Sequence, residues 1–135
     1  MSIAALLITI NLLVNSHVTY VAEPAGQDNW QNLERTAQLK TGDCEDYAIA
    51  KRELLIRNGV PASALRLIYT ESDGVPHMVL GYYPTPDATP QVLDNMTNEV
   101  LARDDLRDAV GLQPDGTWMA GVKYAGVSSK WAEIK

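Results

Sequence analysis

The chain of 135 residues is long enough for one hydrophobic core, and we predict a single domain over residues 1–135. Its composition, 46% hydrophobic and 21% charged, is that of an ordinary globular protein. The formal net charge of −6 argues against nucleic acid as the main partner. Because Cys44 is the only cysteine, an internal disulfide and a zinc site built from two thiolates of this chain are both excluded.

The N-terminal segment of the chain carries no Asp, Glu, Lys or Arg before Glu23. Its apolar part, residues 3–14, is interrupted by Thr9 and Asn11 and is too short to span a membrane. No basic residue precedes this part, as a signal peptide would require. We therefore predict a mostly buried helix over residues 3–18, in which Asn11 and Asn15 lie on one side because they are four positions apart.

Two further helices are predicted in the first half of the chain. The first is short and covers residues 32–39. The second follows a break at Gly42: Asp43 is a favourable N-cap residue, and Asp46 three positions later completes the pattern of a capping box. This helix is predicted to run from Cys44 to about residue 57, where Asn58-Gly59 ends it.

The second half of the chain alternates apolar and polar residues, as strands do. Strands are predicted over residues 65–70, 77–83, 91–95 and 118–124, and a turn at residues 72–74 joins the first two as a hairpin. The proline-rich residues 84–90 are predicted to be irregular, and residues 97–110 to form a loop with one or two short helices. Helices followed by an antiparallel sheet predict an α+β fold.

The strongest functional signal is Cys44, at the first position of the helix that Asp43 caps. The helix dipole favours a thiolate there, and unpaired backbone N–H groups of the first turn can hold an oxyanion. The alternative is an inert, buried cysteine. The neighbouring carboxylates of Asp43, Glu45 and Asp46 oppose a thiolate, so a nucleophile here needs an imidazolium partner or a bound cation. Alternatively, these acids only complement the helix N-terminus.

His77 and Asp94 follow Cys44 in the order of a thiol-nucleophile triad. Period-2 alternation places His77 on one strand face with Val79 and Gly81. A carboxylate such as Asp94 is costly to bury in an apolar strand unless it is paired, and the imidazole N–H of His77 would pair with it and fix the tautomer. The alternatives are a structural histidine with a strand-end cap, or a transition-metal site that includes Cys44.

These residues resemble the motifs of a known family. The segments 42–48 (GDCEDYA), 77–80 (HMVL) and 92–95 (VLDN), in this order, are similar to the bacterial transglutaminase-like cysteine proteinases. That family includes a periplasmic protease that releases biofilm adhesins. The resemblance covers roughly residues 10–120 and includes the spacing between Trp30 and Cys44. Without the resemblance, Trp30 could donate its indole N–H near a reacting carbonyl, although a lone Trp is more often part of a core.

The resemblance implies a papain-like or transglutaminase-like α+β fold, with the nucleophile at the start of a helix packed on an antiparallel sheet. It implies that Cys44 is the nucleophile, that His77 is the general base and acid, and that Asp94 orients the histidine. It also implies that Trp30 shapes the cleft or the oxyanion region.

The resemblance further implies calcium beside the nucleophile, on Asp43 and Glu45, which would offset the acidic surroundings of the thiol. The chemistry itself requires no cofactor.

We therefore expect a cysteine peptidase or amidase that cleaves an amide bond of a protein or peptide by acyl transfer. Transglutaminase-type amide transfer and a catalytically inactive, calcium-responsive protein-binding module remain open as alternatives. We expect no nucleic-acid partner and no membrane span, and the sequence does not indicate an oligomeric state. In the absence of a convincing signal peptide, a cytoplasmic or phage-associated location is favoured over a periplasmic one.

Overall fold

The computed structural model describes residues 1–22, 30–109 and 111 of the chain. Within these residues the α-helices are α1 (Ile3–His17), α2 (Leu33–Leu39) and α3 (Cys44–Arg57). The strands are β1 (Thr19–Tyr20), β2 (Thr41–Gly42), β3 (Leu65–Ser72), β4 (Val75–Tyr82), β5 (Gln91–Asp94) and β6 (Thr97–Ala102). The last four strands form an antiparallel sheet in the order β3-β4-β5-β6, while β1 and β2 pair in parallel. The α+β prediction is confirmed.

Helix α1 begins after Ser2, whose hydroxyl accepts a hydrogen bond from the backbone N–H of Ala5 at 3.1 Å. It packs on α3 and on the β5–β6 hairpin. The face that makes these contacts is buried and carries Leu7, Ile10, Asn11 and Val14. Only this face is covered among the described residues, so Ile8 and Leu12 are exposed. The prediction of a mostly buried helix is therefore wrong for the outer face.

Helix α3 forms where the sequence predicts it, because its two ends are specified locally. The carboxylate of Asp43 accepts a hydrogen bond from the backbone N–H of Asp46, and the carboxylate of Asp46 accepts one from the backbone N–H of Asp43. The helix ends before Asn58-Gly59, where Gly59 has a φ of +98° that a residue with a side chain rarely adopts. The predicted capping box is confirmed.

Strands β3 and β4 form the predicted hairpin, with a turn at Asp73 and Gly74, which both have positive φ. Apolar residues alternate between the two faces of the sheet. One face joins the helices in the main core through Leu65, Leu67, Met78, Leu80 and Leu93, and the other forms a smaller cluster of Ile68, Val79, Tyr83, Val92 and Leu106. Gly81 is needed on the second face, because a Cβ there would lie 2.8 Å from the Tyr83 ring.

The structure corrects the prediction for residues 97–110. Residues Thr97–Ala102 form strand β6 at the sheet edge, and only the short 3₁₀ turn Asp104–Leu106 follows. None of its six residues is buried and its first three are polar, so its strand character comes from pairing with β5 rather than from its own pattern. The predicted strand at residues 118–124 lies outside the described residues. In the part of the chain that is described, no helix is long and apolar enough to cross a membrane.

Candidate active site

Cys44 is the first residue of α3, directly after the Asp43 cap, and is half-buried. The capping box fixes the backbone around it: Asp46 N donates to Asp43 Oδ1 at 3.3 Å, and Asp43 N donates to Asp46 Oδ2 at 3.0 Å. The backbone N–H of Gln31 also donates to Asp46 Oδ1 at 2.7 Å. Cys44 therefore sits on a firmly held helix N-terminus, where the helix dipole is positive.

His77 and Asp94 are brought together from neighbouring strands. His77 Nε2 lies 2.7 Å from Asp94 Oδ1, and only 10% and 16% of the two side chains are exposed. The backbone N–H of Met96 donates to the same Oδ1 at 3.0 Å. The pairing of β5 with β6 shifts register between Val92 and Asp94, an irregularity of the kind that re-aims a side chain at a functional site.

The charge of Asp94 is stabilised inside this pair. Burial raises the pKa of its carboxyl group, but the hydrogen bonds from His77 and Met96, together with the charges of His77 and Lys51, outweigh burial. The net result is a pKa below the ordinary value. Asp94 is therefore a carboxylate at neutral pH and accepts the hydrogen bond from the His77 ring.

The thiol of Cys44 reaches the strand that carries His77. It forms a hydrogen bond with the backbone of Met78, the residue after His77, and this contact lowers the pKa of the thiol. The structure thus places the thiol of α3 beside the strand position next to His77, and places Asp94 on the ring of His77.

Other contacts oppose ionisation of the thiol. Burial and the negative charge of Glu45, whose Oε2 lies 3.4 Å from Sγ, raise the pKa of Cys44 to about 12. Asp43 contributes in the same direction. The acidic surroundings noted in the sequence are therefore real in the fold, and they have to be offset before Cys44 acts as a nucleophile.

The carboxyl groups of Asp43 and Glu45 are buried and adjacent. Burial and the hydrogen bond with Glu45 raise the pKa of Asp43 to about 9. The hydroxyl of Tyr69 donates to Glu45 Oε1 at 3.0 Å. Two carboxyl groups this close share a proton or a cation. Among the described residues, no group of three or more His, Cys, Asp or Glu side chains is arranged to hold a metal ion.

Trp30 is buried, with 4% of its surface exposed, and belongs to the main core. Its ring centroid lies 6.3 Å from that of Tyr69, the residue that contacts Glu45. The next residue, Gln31, is tied to the capping box. Trp30 therefore lies at the wall of the region that surrounds the start of α3.

Sequence reasoning missed two polar residues behind the His77–Asp94 pair. Lys51 is completely buried on α3, and its charge acts on Asp94. Asn15 on α1 donates to the backbone carbonyl of Asp94 at 3.0 Å. Two features of the sequence could have indicated these residues. Lys51 is seven positions after Cys44 and so two turns along the same helix face, and α1 carries a pair of asparagines, Asn11 and Asn15.

A helix that carries a thiol at its N-terminus and packs on an antiparallel sheet with a His–Asp pair defines a transglutaminase-like, papain-like fold. The family of bacterial transglutaminase-like cysteine proteinases (BTLCP) matches residues 2–107. The chain belongs to this family and is a thiol-dependent protease. A search of curated protein sequences gave no match.

Solved structures of LapG from Legionella pneumophila are similar to this chain. A calcium-bound structure is 29% identical with a TM-score of 0.80, covering 97% of this chain and 77% of that one. An EGTA-treated structure is also 29% identical, with a TM-score of 0.82 and coverage of 97% and 76%. A third LapG structure is 31% identical, with a TM-score of 0.78 and coverage of 88% and 70%.

Proposed function

We propose that the protein hydrolyses an amide bond of a protein or peptide substrate, with Cys44 as nucleophile, His77 as general base and acid, and Asp94 as the residue that orients His77. The observation that carries the proposal is the buried hydrogen bond of 2.7 Å between His77 and Asp94. Met78, the residue after His77 on β4, contacts the Cys44 thiol through its backbone. Membership of a cysteine proteinase family supports the same chemistry.

The hydrogen bond to Asp94 determines which ring nitrogen of His77 acts on the thiol. His77 Nε2 faces Asp94 and donates its proton there, so the neutral ring has its lone pair on Nδ1. Nδ1 accepts the thiol proton of Cys44, and the thiolate attacks the carbonyl carbon of the substrate. Backbone N–H groups at the start of α3 that the capping box leaves without an intrahelical partner stabilise the resulting oxyanion.

Collapse of the tetrahedral intermediate breaks the C–N bond. The His77 imidazolium gives its Nδ1 proton to the leaving amine, and the acyl group stays on Cys44 as a thioester. A water molecule then gives a proton to His77 and adds to the thioester carbonyl. The C–S bond breaks, the carboxylic acid product leaves, and the sulfur takes back its proton from His77.

Calcium binding beside the nucleophile is part of the proposal. Asp43 and Glu45 fit the ion, because two adjacent, buried carboxyl groups provide hard oxygen ligands and lose their mutual repulsion when a cation joins them. The described side chains supply only this pair, and Ca²⁺ also accepts carbonyl and water oxygens. The calcium-bound and EGTA-treated LapG structures support the choice of ion. A bound cation would also offset the carboxylates that raise the pKa of Cys44.

The experiment that tests the function is a comparison of new peptide N-termini in a bacterial protein extract treated with wild-type protein or with Cys44→Ala. We expect a set of cleavages that occurs only with the wild-type protein and that His77→Ala also abolishes. Identical profiles for wild type and Cys44→Ala would refute hydrolysis.

Two further observations in the same extract separate the alternatives. Incorporation of a labelled primary amine without new N-termini would identify amide transfer. Neither reaction, with calcium present, would favour a binding module that has lost turnover.

A further inference from the structure

A buried polar cluster lies behind Asp94. The turn that joins β5 to β6, residues 94–97, is held by two amide side chains from α1. Asn15 Nδ2 donates to the backbone carbonyls of Asp94 and Thr97, each at 3.0 Å. Asn11 Nδ2 donates to the carbonyl of Thr97 at 3.0 Å. Helix α1 therefore fixes the backbone of the turn that carries the Asp94 carboxylate.

Lys51 is buried on α3, which packs on β5, and its charge acts on the same carboxylate. The side chain is 0% exposed, and its Nζ has no hydrogen-bond partner among the described residues. The Nζ atom lies over the ring of Tyr47, 5.6 Å from the ring centroid. Burial lowers the pKa of Lys51 to about 7, and the negative charge of Asp94 acts in the opposite direction.

An ammonium group buried without hydrogen bonds costs folding free energy, and an apolar side chain of similar length would fill the same space at less cost. Among the described residues, the Oδ1 atoms of Asn11, Asn15 and Asn95 and the Nζ of Lys51 are buried without a hydrogen-bond partner. A lysine in this position therefore contributes its charge to Asp94 rather than stability to the core.

We propose that Lys51 and Asn15 are positioning residues for Asp94: Asn15 fixes the backbone of its turn, and the ammonium of Lys51 holds its carboxylate as an anion aligned on His77. The proposal rests on the proposed function, because it matters for catalysis only if the His77–Asp94 pair serves Cys44. It adds one residue from α1 and one from α3 to the three residues, Cys44, His77 and Asp94, that the sequence identifies.

The alignment can be measured without a substrate. The chain has two histidines, and the ring N–H of His77 that is bonded to Asp94 is detected by proton NMR after assignment with Asp94→Asn. We expect Lys51→Met and Asn15→Ala to increase the exchange of this proton with water by about tenfold or more, as local opening of the pair becomes easier. Carbon NMR of the carboxyl group is expected to show the pKa of Asp94 rising by about half a unit to one unit in Lys51→Met.

Matched variants separate positioning from general loss of structure. Leu55→Ala, one turn further along α3 and equally buried, is expected to lower stability but to leave the exchange of the His77 proton and the titration of Asp94 as in wild type. Asn98→Ala removes the exposed third acceptor of the Asn15 amide and is also expected to leave the His77 exchange and the Asp94 titration unchanged. Lys51→Met is expected to unfold at the same temperature as wild type or higher, because it removes a buried charge.

The proposal is overturned if Lys51→Met and Asn15→Ala keep the wild-type exchange rate and Asp94 titration, or if Leu55→Ala changes them equally. These outcomes are independent of proteolysis. If Cys44→Ala does not alter the cleavage pattern while the NMR effects are present, the proposed function fails and the positioning of Asp94 stands.

Discussion

His77 Nε2 and Asp94 Oδ1 are 2.7 Å apart, and the two side chains come from residues 17 positions apart in the sequence. Both are largely buried, so the hydrogen bond is shielded from water and from dissolved salt. The same oxygen also accepts the N–H of Met96, which fixes the carboxylate from its own turn. The orientation of the imidazole ring is therefore built into the sheet before any substrate binds.

Replacement of Asp94 by Asn keeps the shape of the site but changes its hydrogen bonding. The amide can offer its N–H to the ring, which favours the opposite tautomer and leaves no lone pair towards the thiol. We expect kcat for a peptide identified by cleavage profiling to fall by about 10³- to 10⁴-fold, with a small change in KM. Asp105→Asn, in a surface pair with Arg103, serves as the control and should keep full activity. An active Asp94→Asn enzyme would remove Asp94 from the mechanism.

The same pair predicts how acid changes stability. The hydrogen bonds and charges around Asp94 outweigh its burial and hold its pKa below the ordinary value. A carboxyl group with a lowered folded pKa stabilises the protein above its unfolded pKa of about 4, and this contribution is lost as the pH falls through the folded value.

Urea unfolding of wild type and Asp94→Asn between pH 6 and pH 3 tests this sign. The difference in free energy of unfolding between the two proteins should be constant near pH 6 and shrink towards pH 3. A difference that grows on acidification would mean that the folded pKa is raised rather than lowered.

Glu45 is predicted to restrain the nucleophile when no cation is bound. After burial, its charge is the largest cause that raises the pKa of Cys44. Glu45→Gln should lower the pKa of the thiol and increase its alkylation by iodoacetamide at pH 8, without added calcium, by about tenfold for each unit of pKa. Glu53→Gln, further along α3 and partly exposed, should alkylate at the wild-type rate. Equal rates in all three proteins would show that the charge of Glu45 does not control the reactivity of the thiol.

Calcium is predicted to stabilise the protein through Asp43 and Glu45. A ligand that binds only the folded state adds about 2.7 kcal/mol at 100 times its Kd, so Tm should rise with CaCl₂ and return with EGTA. MgCl₂ should have a smaller effect, because Mg²⁺ demands a stricter octahedral geometry. Asp43→Asn keeps a good N-cap but should lose the response, whereas the exposed Asp87→Asn should keep it. An equal response of wild type and Asp43→Asn would place the ion elsewhere.

The features predicted correctly from the sequence are those that are specified locally. The capping box around Cys44, the glycine after α3 and the alternation of the β3–β4 hairpin each depend on residues within a few positions. Strand β6 was missed because its sequence lacks an alternating pattern and becomes a strand only by pairing with β5.

The polar residues around the candidate site could not be predicted from the sequence, because their roles also depend on contacts between distant parts of the chain. Asn15 meets Asp94 across 79 positions, and the charge of Lys51 is useful only once α3 covers the sheet. The sequence could not distinguish Trp30 as cleft wall from Trp30 as core, and the fold buries it beside Tyr69. The single-domain organisation and the cellular location remain predictions.

Asp46 is predicted to be the main structural support of the nucleophile. Its side chain, in a residue that is 1% exposed, accepts hydrogen bonds from the backbone N–H groups of Asp43 and Gln31. Asp46→Ala leaves both N–H groups buried without a partner, which should lower the free energy of unfolding by about 2–4 kcal/mol in urea titrations. Asp46→Asn retains one acceptor oxygen and should lose about half as much.

Because the box also fixes the N-terminus of α3, activity is expected to fall further than stability explains. The comparison is made on Asp46→Ala at a temperature where it is fully folded by circular dichroism. Gly42 lies against this side chain, since a Cβ at position 42 would be 2.7 Å from the Asp46 Cβ. Gly42→Ala should therefore reproduce the effect in milder form by pushing Asp46 out of the box. Full activity and wild-type stability in both variants would mean that Cys44 is held by contacts other than the capping box.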